Sequence, residues 1–436
     1  MFAMPAMYTT TLLTDLHNRG LIAQISNGDK LDEHLSGGKR TLYCGFDPTA
    51  DSLHIGSLVP LLTLQRFQRA GHRPLVLVGG ATGLIGDPSF KAQERKLNTP
   101  DVVASWVEKI QNQVGALIDF SGANAAIAVN NLDWTASLGT IDFLRSVGKH
   151  FSVSNMVNKE SVKQRLDREG EGISFTEFSY MLLQSMDFAE LNRLYDCSLQ
   201  IGGSDQWGNI TGGIDLCRRQ NQAQVFGLTL PLVTKADGTK FGKTESGTIW
   251  LDPARTSPYS FYQFWLGTAD ADVYRFLRYF TYLTPQEIDD LEASDKASSS
   301  RPEAQAVLAR EVTQMIHGAS ALDSAMRISN SLFSGHVQSL TESDVQQLAQ
   351  DGLPLHSCSG PEIAEKSAIS VLAEAGLGNG KQIKDAIARG AVQANGAIFQ
   401  PETTAMMNDA LASCSPLPGG YFLFKVGKKK HALLKV

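Results

Sequence analysis

Hydrophobic residues from 41 to about 235 follow two alternating patterns, and each pattern predicts one kind of element. The uninterrupted apolar runs PLVLV at 74–78 and AAIAV at 125–129 predict buried strands. Apolar residues three or four positions apart predict intervening helices, one of which starts at Thr99 with Pro100 in its first turn. Such alternation is typical of a parallel sheet covered by helices on both faces. We therefore expect an α/β, Rossmann-like parallel sheet that binds ligands at the carboxyl ends of its strands.

The strand pattern fades after residue 250, and this change predicts further domains. Residues 1–250 form the predicted α/β domain, and helical spacing dominates 251–350. The segment 351–361 has a linker composition, and 362–436 remains as a small C-terminal module. We expect three domains in this order.

Composition favours a folded protein of a reducing compartment. The chain has 436 residues, is 42% hydrophobic and contains five cysteines, none in a C-x-x-C pair. This pattern argues against disulfides and against structural zinc. The N-terminal residues lack the features of an export signal, and no later apolar run is long enough to span a bilayer. We expect a cytoplasmic protein that has no membrane partner.

Charge is distributed unevenly along the chain. The net charge is -6, yet the segment from residue 365 to the end has nine Lys or Arg and five Asp or Glu. The net charge of this segment is therefore +4, and the rest of the chain has a net charge of -10. The C-terminal module is for this reason a candidate RNA contact. Arg218 and Arg219 form a second basic candidate, and solvated surface cations are the alternative interpretation for both regions.

Polar residues on one face of a predicted helix suggest a binding wall. Ser174 and Glu177 have capping-box spacing, so a helix begins there and places Tyr180, Gln184 and Asp187 on one side. At about 1.5 Å per residue, Tyr180 and Asp187 are roughly 10 Å apart. That spacing suits an amino acid with polar groups at both ends, such as tyrosine. A polar stripe facing solvent is the alternative.

Two loops that follow predicted strands have the composition of a phosphate site. In YCGFDPTADSLHIGS (43–57), Thr49 and His54 lie near a helix start whose amides favour anions. In GGATGLIGDP (79–88), glycines permit close backbone approach and Asp87 suits an ammonium group. Lys91 and Arg95 follow as cations. An ordinary turn is the alternative interpretation of the loops, and a solvated charge pair is the alternative for Lys91 and Arg95.

Two later loops complete a candidate nucleotide site. QIGGSDQWGN (200–209) places Asp205 at a helix start, where an acid suits ribose hydroxyls. KADGTKFGKT (235–244) carries Lys240 and Lys243 on a glycine-containing loop suited to neutralising pyrophosphate. Each loop alone is compatible with a simple turn, but their joint occurrence in this order is specific.

These loops and the helix together resemble bacterial tyrosyl-tRNA synthetases, a class I family, over nearly the whole chain. The matching stretches are YCGFDPTADSLHIG, GGATGLIGDPS, SFTEFSYMLLQ, QIGGSDQWGNI and KADGTKFGKT. The resemblance implies that tyrosine and ATP form tyrosyl-adenylate and pyrophosphate, and that the tyrosyl group passes to the terminal ribose of tRNA(Tyr). It also implies a catalytic domain at 1–250, an anticodon-binding helical domain at 251–350 and an S4-like RNA-binding domain at 362–436.

The resemblance assigns roles to particular residues. Tyr43 and Asp187 bind the substrate hydroxyl, Asp87, Tyr180 and Gln184 hold its ammonium group, and Gln200 supports the pocket. The ATP and adenylate site comprises Gly45, Asp47, His54, Gly56, Ser57, Gly202, Asp205, Gln206 and Lys243. The catalytic set acting on the phosphates comprises Thr49, His54, Lys91, Arg95, Lys240, Lys243 and Thr244. Candidate tRNA contacts are Arg218, Arg219, Lys381, Lys384 and Arg389. No protein metal site is implied, and Mg²⁺ arrives with the nucleotide.

One residue departs from the family pattern. The H-x-G-H element ends in Ser57 instead of a second histidine, so a hydroxyl replaces a group that can become cationic. We therefore expect the protein to be active, with a changed contribution of this position to the use of ATP. The form KFGKT is usual in the tyrosyl branch.

The resemblance also implies a homodimer, formed through a connective insertion at about 133–170. Two other functions compete with the main one. A tryptophanyl enzyme has the same fold, but the pairing of Tyr43 with Asp187 argues against an indole. A non-catalytic RNA-binding relative is disfavoured by the retained lysines and Asp87. Pyrophosphate exchange with tyrosine, tryptophan and phenylalanine separates these functions.

Overall fold

The computed structural model describes residues 10–87, 98–159, 162–163, 166, 172–239, 241–244, 247–402, 405–427 and 430–436. Its strands, in chain order, are β1 Gln24–Ile25, β2 Thr41–Phe46, β3 Arg73–Val78, β4 Ile127–Asn130, β5 Cys197–Gly203, β6 Phe226–Leu230, β7 Lys243–Thr244, β8 Gly247–Thr248, β9 Leu355–Ser357, β10 Val392–Ala394, β11 Ala397–Ile398, β12 Tyr421–Val426 and β13 Lys430–Lys435.

The α-helices are α1 Thr11–Asn18, α2 Gly28–Ser36, α3 Leu58–Arg69, α4 Thr82–Ile85, α5 Pro100–Gly115, α6 Leu132–Thr135, α7 Thr140–Ser146, α8 Val153–Val157, α9 Phe175–Tyr195, α10 Trp207–Gln220, α11 Pro258–Leu266, α12 Asp270–Phe280, α13 Pro285–Ala297, α14 Ala304–His317, α15 Ala319–Ser334, α16 Glu342–Gln347, α17 Gly360–Glu365, α18 Ala368–Glu374, α19 Gly380–Ala388 and α20 Met407–Leu411. Short 3-10 segments cover Ile55–Ser57, Gly148–His150, Ser204–Gln206 and Val337–Ser339, and Leu348–Gly352 is a π-helical turn. No described helix is long and apolar enough to cross a membrane.

The chain divides into two compact units, and the first contains a six-stranded sheet. This unit comprises the residues up to Leu251 together with Asp270–Ala304. Its strand order is β1-β6-β5-β2-β3-β4, with β2 to β6 parallel and β1 added antiparallel to β6 at one edge. The predicted α/β class with a parallel sheet is therefore confirmed. β2, β3, β5 and β6 are almost wholly buried, because helices cover both faces of a parallel sheet.

The longest helix of this unit begins where the sequence predicts. The Ser174 hydroxyl accepts a hydrogen bond from the Glu177 amide, which satisfies one of the donors at the helix start. The helix α9 then runs for 21 residues to Tyr195 and ends at Asp196, a left-handed residue. It packs mainly against α10 and also against β5. The same helix therefore forms part of the core and one wall of the site.

The second unit comprises Asp252–Ala269 and Gln305–Val436. It contains α11, α14 to α20 and a five-stranded sheet of order β11-β10-β12-β13-β9. Inward residues of β10, β12 and β13 share a core with α18 and α19. The predicted linker at 351–361 contains β9, which pairs in parallel with β13. The predicted domain boundaries remain predictions.

Candidate active site

A cavity of about 650 Å³ lies in the first unit, at the carboxyl ends of β2 and β5. Fifteen residues predicted from the sequence line it: Tyr43, Gly45, Asp47, Thr49, His54, Gly56, Ser57, Asp87, Tyr180, Gln184, Asp187, Gln200, Gly202, Asp205 and Gln206. They come from β2, β5, α9 and the loops after the strands. The topology therefore gathers residues as far apart as Tyr43 and Gln206 into one site, as expected for parallel sheets.

A phenol and a carboxylate form the deep part of this cavity. Tyr43 is fully buried on β2, and its hydroxyl has no hydrogen-bond partner among the described residues. Burial and the nearby Asp187 raise the pKa of the Tyr43 phenol well above its ordinary value. Burial likewise raises the pKa of Asp187 to about 7. A buried hydroxyl without a partner is costly, so this end of the cavity is suited to a ligand that completes the hydrogen bonding.

Two side chains that our sequence interpretation missed hold the Asp187 carboxylate. The Asn131 amide donates to Oδ2 at 3.0 Å, and the Trp134 indole donates to Oδ1 at 2.9 Å. Both donors favour the ionised form and oppose the effect of burial on the pKa of Asp187. Asn131 follows β4 directly, so its place at the carboxyl end of a strand is a signal that could have identified it as a candidate.

The middle of the cavity contains a second hydrogen-bonded chain. The Tyr180 hydroxyl donates to Asp47 Oδ2 at 2.7 Å, and the Thr82 hydroxyl donates to Asp47 Oδ1 at 2.6 Å. Asn131 donates to the Thr82 hydroxyl at 3.0 Å, which connects this chain to the carboxylate of Asp187. The resemblance assigns Tyr180 to the ammonium group and Asp47 to the adenylate, and one hydrogen bond connects these two side chains in the structure.

Further hydrogen-bond acceptors line the cavity. The Gln206 amide donates to Asp87 Oδ2 at 2.7 Å and to Asp205 Oδ2 at 3.3 Å, and accepts from Asn209 at 3.2 Å. Gln184 and Gln200 lie close by in the lining, and the amide oxygen of each is buried without a partner among the described residues. Carboxylate and amide oxygens that face a cavity favour a ligand with N–H donors, such as an ammonium group.

The loop with His54 is tied to the loop with Lys243 by backbone hydrogen bonds. The Ile55 amide donates to the Ile249 carbonyl, and the Ile249 amide donates to the Gly242 carbonyl, both at 3.0 Å. The Gly56 amide donates to His54 Nδ1 at 3.0 Å, so the neutral imidazole carries its proton on Nε2. His54 lines the cavity and is exposed. A ring N–H donor is therefore positioned at the cavity wall.

The cavity lining carries negative charge. It contains four aspartates, Asp47, Asp87, Asp187 and Asp205, and no lysine or arginine among the described residues. The predicted Lys91, Arg95 and Lys240 lie outside the part of the chain that the structure describes. Lys243 and Thr244 form β7, which pairs with β8. Polyphosphate binding here requires cations that the described lining does not contain.

None of the predicted RNA contacts is part of the cavity lining. Arg218 and Arg219 lie on α10, and both pair with Asp215 at 2.7 Å. Lys381 and Lys384 are exposed on α19, and Arg389 is exposed just beyond its end. Exposed cations of this kind are able to contact phosphates, and their RNA role remains a prediction.

Comparison with known proteins identifies a matching family. The model of the class I tRNA synthetases for tryptophan and tyrosine (W and Y) matches residues 36–334. The chain is 62% identical over 424 residues to the tyrosine–tRNA ligase of Aliivibrio fischeri strain MJ11, covering 97% of both chains. It is 58% identical over 432 residues to the tyrosine–tRNA ligase of Chromobacterium violaceum, covering 98% of this chain and 99% of that one.

Solved structures give the same match. The C-terminally truncated mitochondrial tyrosyl-tRNA synthetase of Aspergillus nidulans superposes with a TM-score of 0.67 at 29% identity, covering 74% of this chain and 94% of that chain. A tryptophanyl-tRNA synthetase of Encephalitozoon cuniculi, bound to tryptophan, gives a TM-score of 0.52 at 13% identity over 76% of this chain and 89% of that chain. At that identity the second comparison shows a common fold alone.

Proposed function

The chain belongs to the family of class I tRNA synthetases for tryptophan and tyrosine, and from this premise we propose that it is a tyrosine–tRNA ligase. The substrate carboxylate attacks the α-phosphorus of ATP, which forms tyrosyl-AMP and releases pyrophosphate. A hydroxyl of the terminal tRNA ribose then attacks the activated carbonyl carbon and releases AMP. The observation that carries the proposal is the buried Tyr43 hydroxyl near the buried Asp187 carboxylate in the cavity lining.

Tyrosine selection rests on this buried pair. The substrate hydroxyl donates to the Asp187 carboxylate, and the Tyr43 hydroxyl gains the partner that it lacks in the described structure. Phenylalanine brings no hydroxyl, so its ring would leave the Tyr43 hydroxyl buried without a partner and the Asp187 carboxylate with only its Asn131 and Trp134 donors. Tryptophan brings one N–H donor and a larger ring, which satisfies one of the two groups at most.

The ammonium end of the substrate is bound by oxygen acceptors. Asp87, Tyr180 and Gln184 are the proposed partners, and Gln200 supports the pocket. The Tyr180 hydroxyl uses its hydrogen to donate to Asp47, so the lone pairs of its oxygen remain available to accept from an N–H donor. The buried amide oxygen of Gln184 gains a partner from the same group. Holding both ends of tyrosine places its carboxylate for attack.

ATP binds toward the His54 loop in this proposal. Gly45, Gly56, Gly202, Asp205 and Gln206 approach the adenylate, and Thr49, His54 and Ser57 approach the phosphates. Because the described lining is anionic, charge that develops on pyrophosphate is neutralised by Lys91, Arg95, Lys240 and Lys243, with Thr244 beside them. Mg²⁺ bound through the phosphates supplies further positive charge. We propose no zinc site, because none of the five cysteines lies in a C-x-x-C pair.

Ser57 is proposed to replace the second histidine of the H-x-G-H element. Its amide donates to the His54 carbonyl at 2.8 Å, and the residue lines the cavity. A neutral hydroxyl interacts more weakly with a phosphate than a cationic ring does. Ser57→His should therefore change the KM for ATP or the activation rate. Unchanged values of both would show that this position does not contact the nucleotide.

The proposed protein is a cytoplasmic homodimer. All five cysteines are free thiols, which suits a reducing compartment. Large hydrophobic side chains are exposed between residues 141 and 175, including Ile141, Val153 and Phe175, and the last is 79% exposed. A second copy of the chain is the proposed cover for them. Light scattering on Ile141→Asp/Val153→Asp should show monomers, whereas Leu194→Asp, at another exposed leucine, should remain dimeric.

Transfer RNA is proposed to contact Arg218, Arg219, Lys381, Lys384 and Arg389. Arg218 and Arg219 are exposed, so their ion pairs with Asp215 contribute little and are readily exchanged for phosphate contacts. Replacing Lys381 and Lys384 with alanine should weaken tRNA binding at low salt and flatten its salt dependence. An unchanged salt slope would remove these two residues from the interface.

Amino acid-dependent exchange between ATP and labelled pyrophosphate tests the function directly. The wild-type protein should support exchange with tyrosine, and exchange with phenylalanine or tryptophan should be weaker by orders of magnitude. Charging of tRNA(Tyr) with labelled tyrosine then tests the second step. Equal exchange with tryptophan would favour the tryptophanyl branch, and exchange with none of the three would favour a non-catalytic RNA-binding role.

A further inference from the structure

A buried carboxylate on α12 holds the start of the loop that carries Lys240 and Lys243. Asp272 lies in the first turn of α12, and only 2% of the residue is exposed. Both of its carboxylate oxygens accept the Ala236 amide hydrogen, at 3.1 and 3.0 Å. Aspartate is rarely buried unless its charge is paired, and a carboxylate that accepts a backbone N–H makes one of the stronger hydrogen bonds. The loop is therefore attached to this helix by a strong contact.

Arg275, one turn further along α12, makes a second attachment. Its guanidinium donates to the Thr234 carbonyl at 2.6 Å and also to the Asp272 carboxylate. The ion pair compensates the buried negative charge and fixes the direction of the carboxylate. Thr234 and Ala236, on either side of Lys235, are therefore both tied to one part of the same helix.

The far end of the segment packs on the same face of α12. Phe276 and Phe280 follow Asp272 at four-residue intervals, and side chains at this spacing share one helix face. The Phe241 ring centroid lies 5.3 Å from that of Phe280, with 19° between the planes, and 5.0 Å from that of Phe276. Phe276 and Phe280 are buried, whereas Phe241 also lines the cavity. One face of α12 thus supports the segment 236–241 at both ends.

Hydrogen bonds within the loop fix its shape and not its place at the cavity. The Lys235 amide donates to the Thr239 carbonyl at 3.1 Å, and the Gly238 amide donates to the Lys235 carbonyl at 2.9 Å. These bonds close a local turn. A turn of this kind keeps its shape wherever the loop lies, so contacts with another element must determine its position. The attachments to α12 supply such contacts.

We propose that Asp272 is a positioning residue for tyrosine activation, which holds the lysine loop where its cations meet the departing pyrophosphate. This inference rests on the proposed function, in which the lysines of this loop neutralise that charge. Asp272 is not part of the cavity lining, so it acts through the loop and not through a substrate. Cations that are already in place stabilise the developing charge, whereas a loose loop must first be ordered. Loss of the support should slow activation and leave tyrosine binding unchanged.

Single-turnover formation of tyrosyl-AMP by the full-length protein provides the test. Asp272→Asn removes one acceptor oxygen and the negative charge, and should slow this step at least about 10-fold, with the Kd for tyrosine unchanged. In a Lys243→Ala background, where the loop has lost one lysine, the same change should cost about 3-fold or less, because residues that act through each other are not additive. Phe241→Leu, at a half-buried position, should show the same dependence on Lys243 and decides the matter if Asp272→Asn does not fold.

Asp344→Asn is the matched control. Asp344 is likewise buried, accepts the Thr341 amide at 2.9 Å and pairs with Arg327, but it belongs to the second unit. This variant should lose stability in urea titrations and form tyrosyl-AMP at the wild-type rate.

Four outcomes would overturn the proposal. They are an unchanged rate in Asp272→Asn, a loss that is equally large without Lys243, a weaker Kd for tyrosine that accounts for the loss, and equal slowing in Asp344→Asn. Absence of tyrosine-dependent activation in the wild type would instead refute the proposed function, so the two failures are distinguishable.

Discussion

The indole of Trp134 should determine the pH at which tyrosine is selected. Trp134→Phe removes the 2.9 Å hydrogen bond to Asp187 Oδ1 and leaves the Asn131 donor in place. A hydrogen bond to a charged group contributes about 1.5–3 kcal/mol, and one pKa unit corresponds to about 1.4 kcal/mol. The pKa of Asp187, about 7 in the wild type, should therefore rise by about one to two units in the variant.

The assay is tyrosine-dependent pyrophosphate exchange between pH 6 and 8.5. If the ionised Asp187 accepts the substrate hydroxyl, kcat/KM for tyrosine rises with pH through the pKa of this carboxyl group. In Trp134→Phe the rise should move to higher pH by about one unit or more, and the KM for ATP should stay constant. Trp106→Phe makes the same exchange on α5, outside the cavity lining, and should match the wild type. A uniform loss of activity with an unmoved midpoint would refute the reasoning.

Three further predictions concern buried charge and backbone geometry. Asp187→Asn should raise the free energy of unfolding at pH 8 by up to about 4 kcal/mol. The pKa of Asp187 is 3.8 in a model peptide and about 7 in the folded protein, so the cost of burying the ionised carboxylate grows as pH rises between these two values. Equal stabilisation at pH 4 and pH 8 in urea titrations would contradict this prediction. Burial lowers the pKa of His317 to about 4, so stability should fall by about 3 kcal/mol as pH drops from 6.5 to 4, and His317→Leu should abolish that part of the slope. Gly242→Ala should slow exchange at least about 10-fold, because its φ is 77° and the new Cβ would lie 2.5 Å from Ile55 Cγ2. Gly238→Ala is the control, because Gly238 has a φ of 79° but an added Cβ there would meet no atom within 4 Å. Equal losses of exchange activity in both variants would mean that backbone strain alone, without the contact to Ile55, slows the reaction.

The α/β class was predictable because strand and helix periodicities are local. The run at 74–78 lies within β3, and the capping spacing of Ser174 and Glu177 marks the start of α9. The strand predicted at 125–129 is shifted to Ile127–Asn130, because residue-level boundaries depend on pairing with β3. The short strand β9 was not predicted, since its pairing with β13 is a long-range contact that composition does not reveal.

The lining of the cavity was predictable to the extent that it follows strand ends and one helix face. Fifteen predicted residues lie together for this reason. The links between them were not predictable, because hydrogen bonds such as that from Tyr180 to Asp47 join positions far apart in the sequence. Asn131 and Trp134 were missed for the same reason, because their hydrogen bonds to Asp187 join distant positions, and only the place of Asn131 after a strand end pointed to the site. The roles of all these residues remain predictions.

In the proposed complex, the buried Tyr43 and Asp187 side chains of the cavity lining bind the hydroxyl of tyrosine. A crystal structure with bound L-tyrosine tests it most directly. We predict that the ring oxygen lies within hydrogen-bonding distance of both the Asp187 carboxylate and the Tyr43 hydroxyl, with the ammonium group near Asp87. A ring oxygen that points away from Asp187, or an amino acid bound elsewhere, would contradict the account.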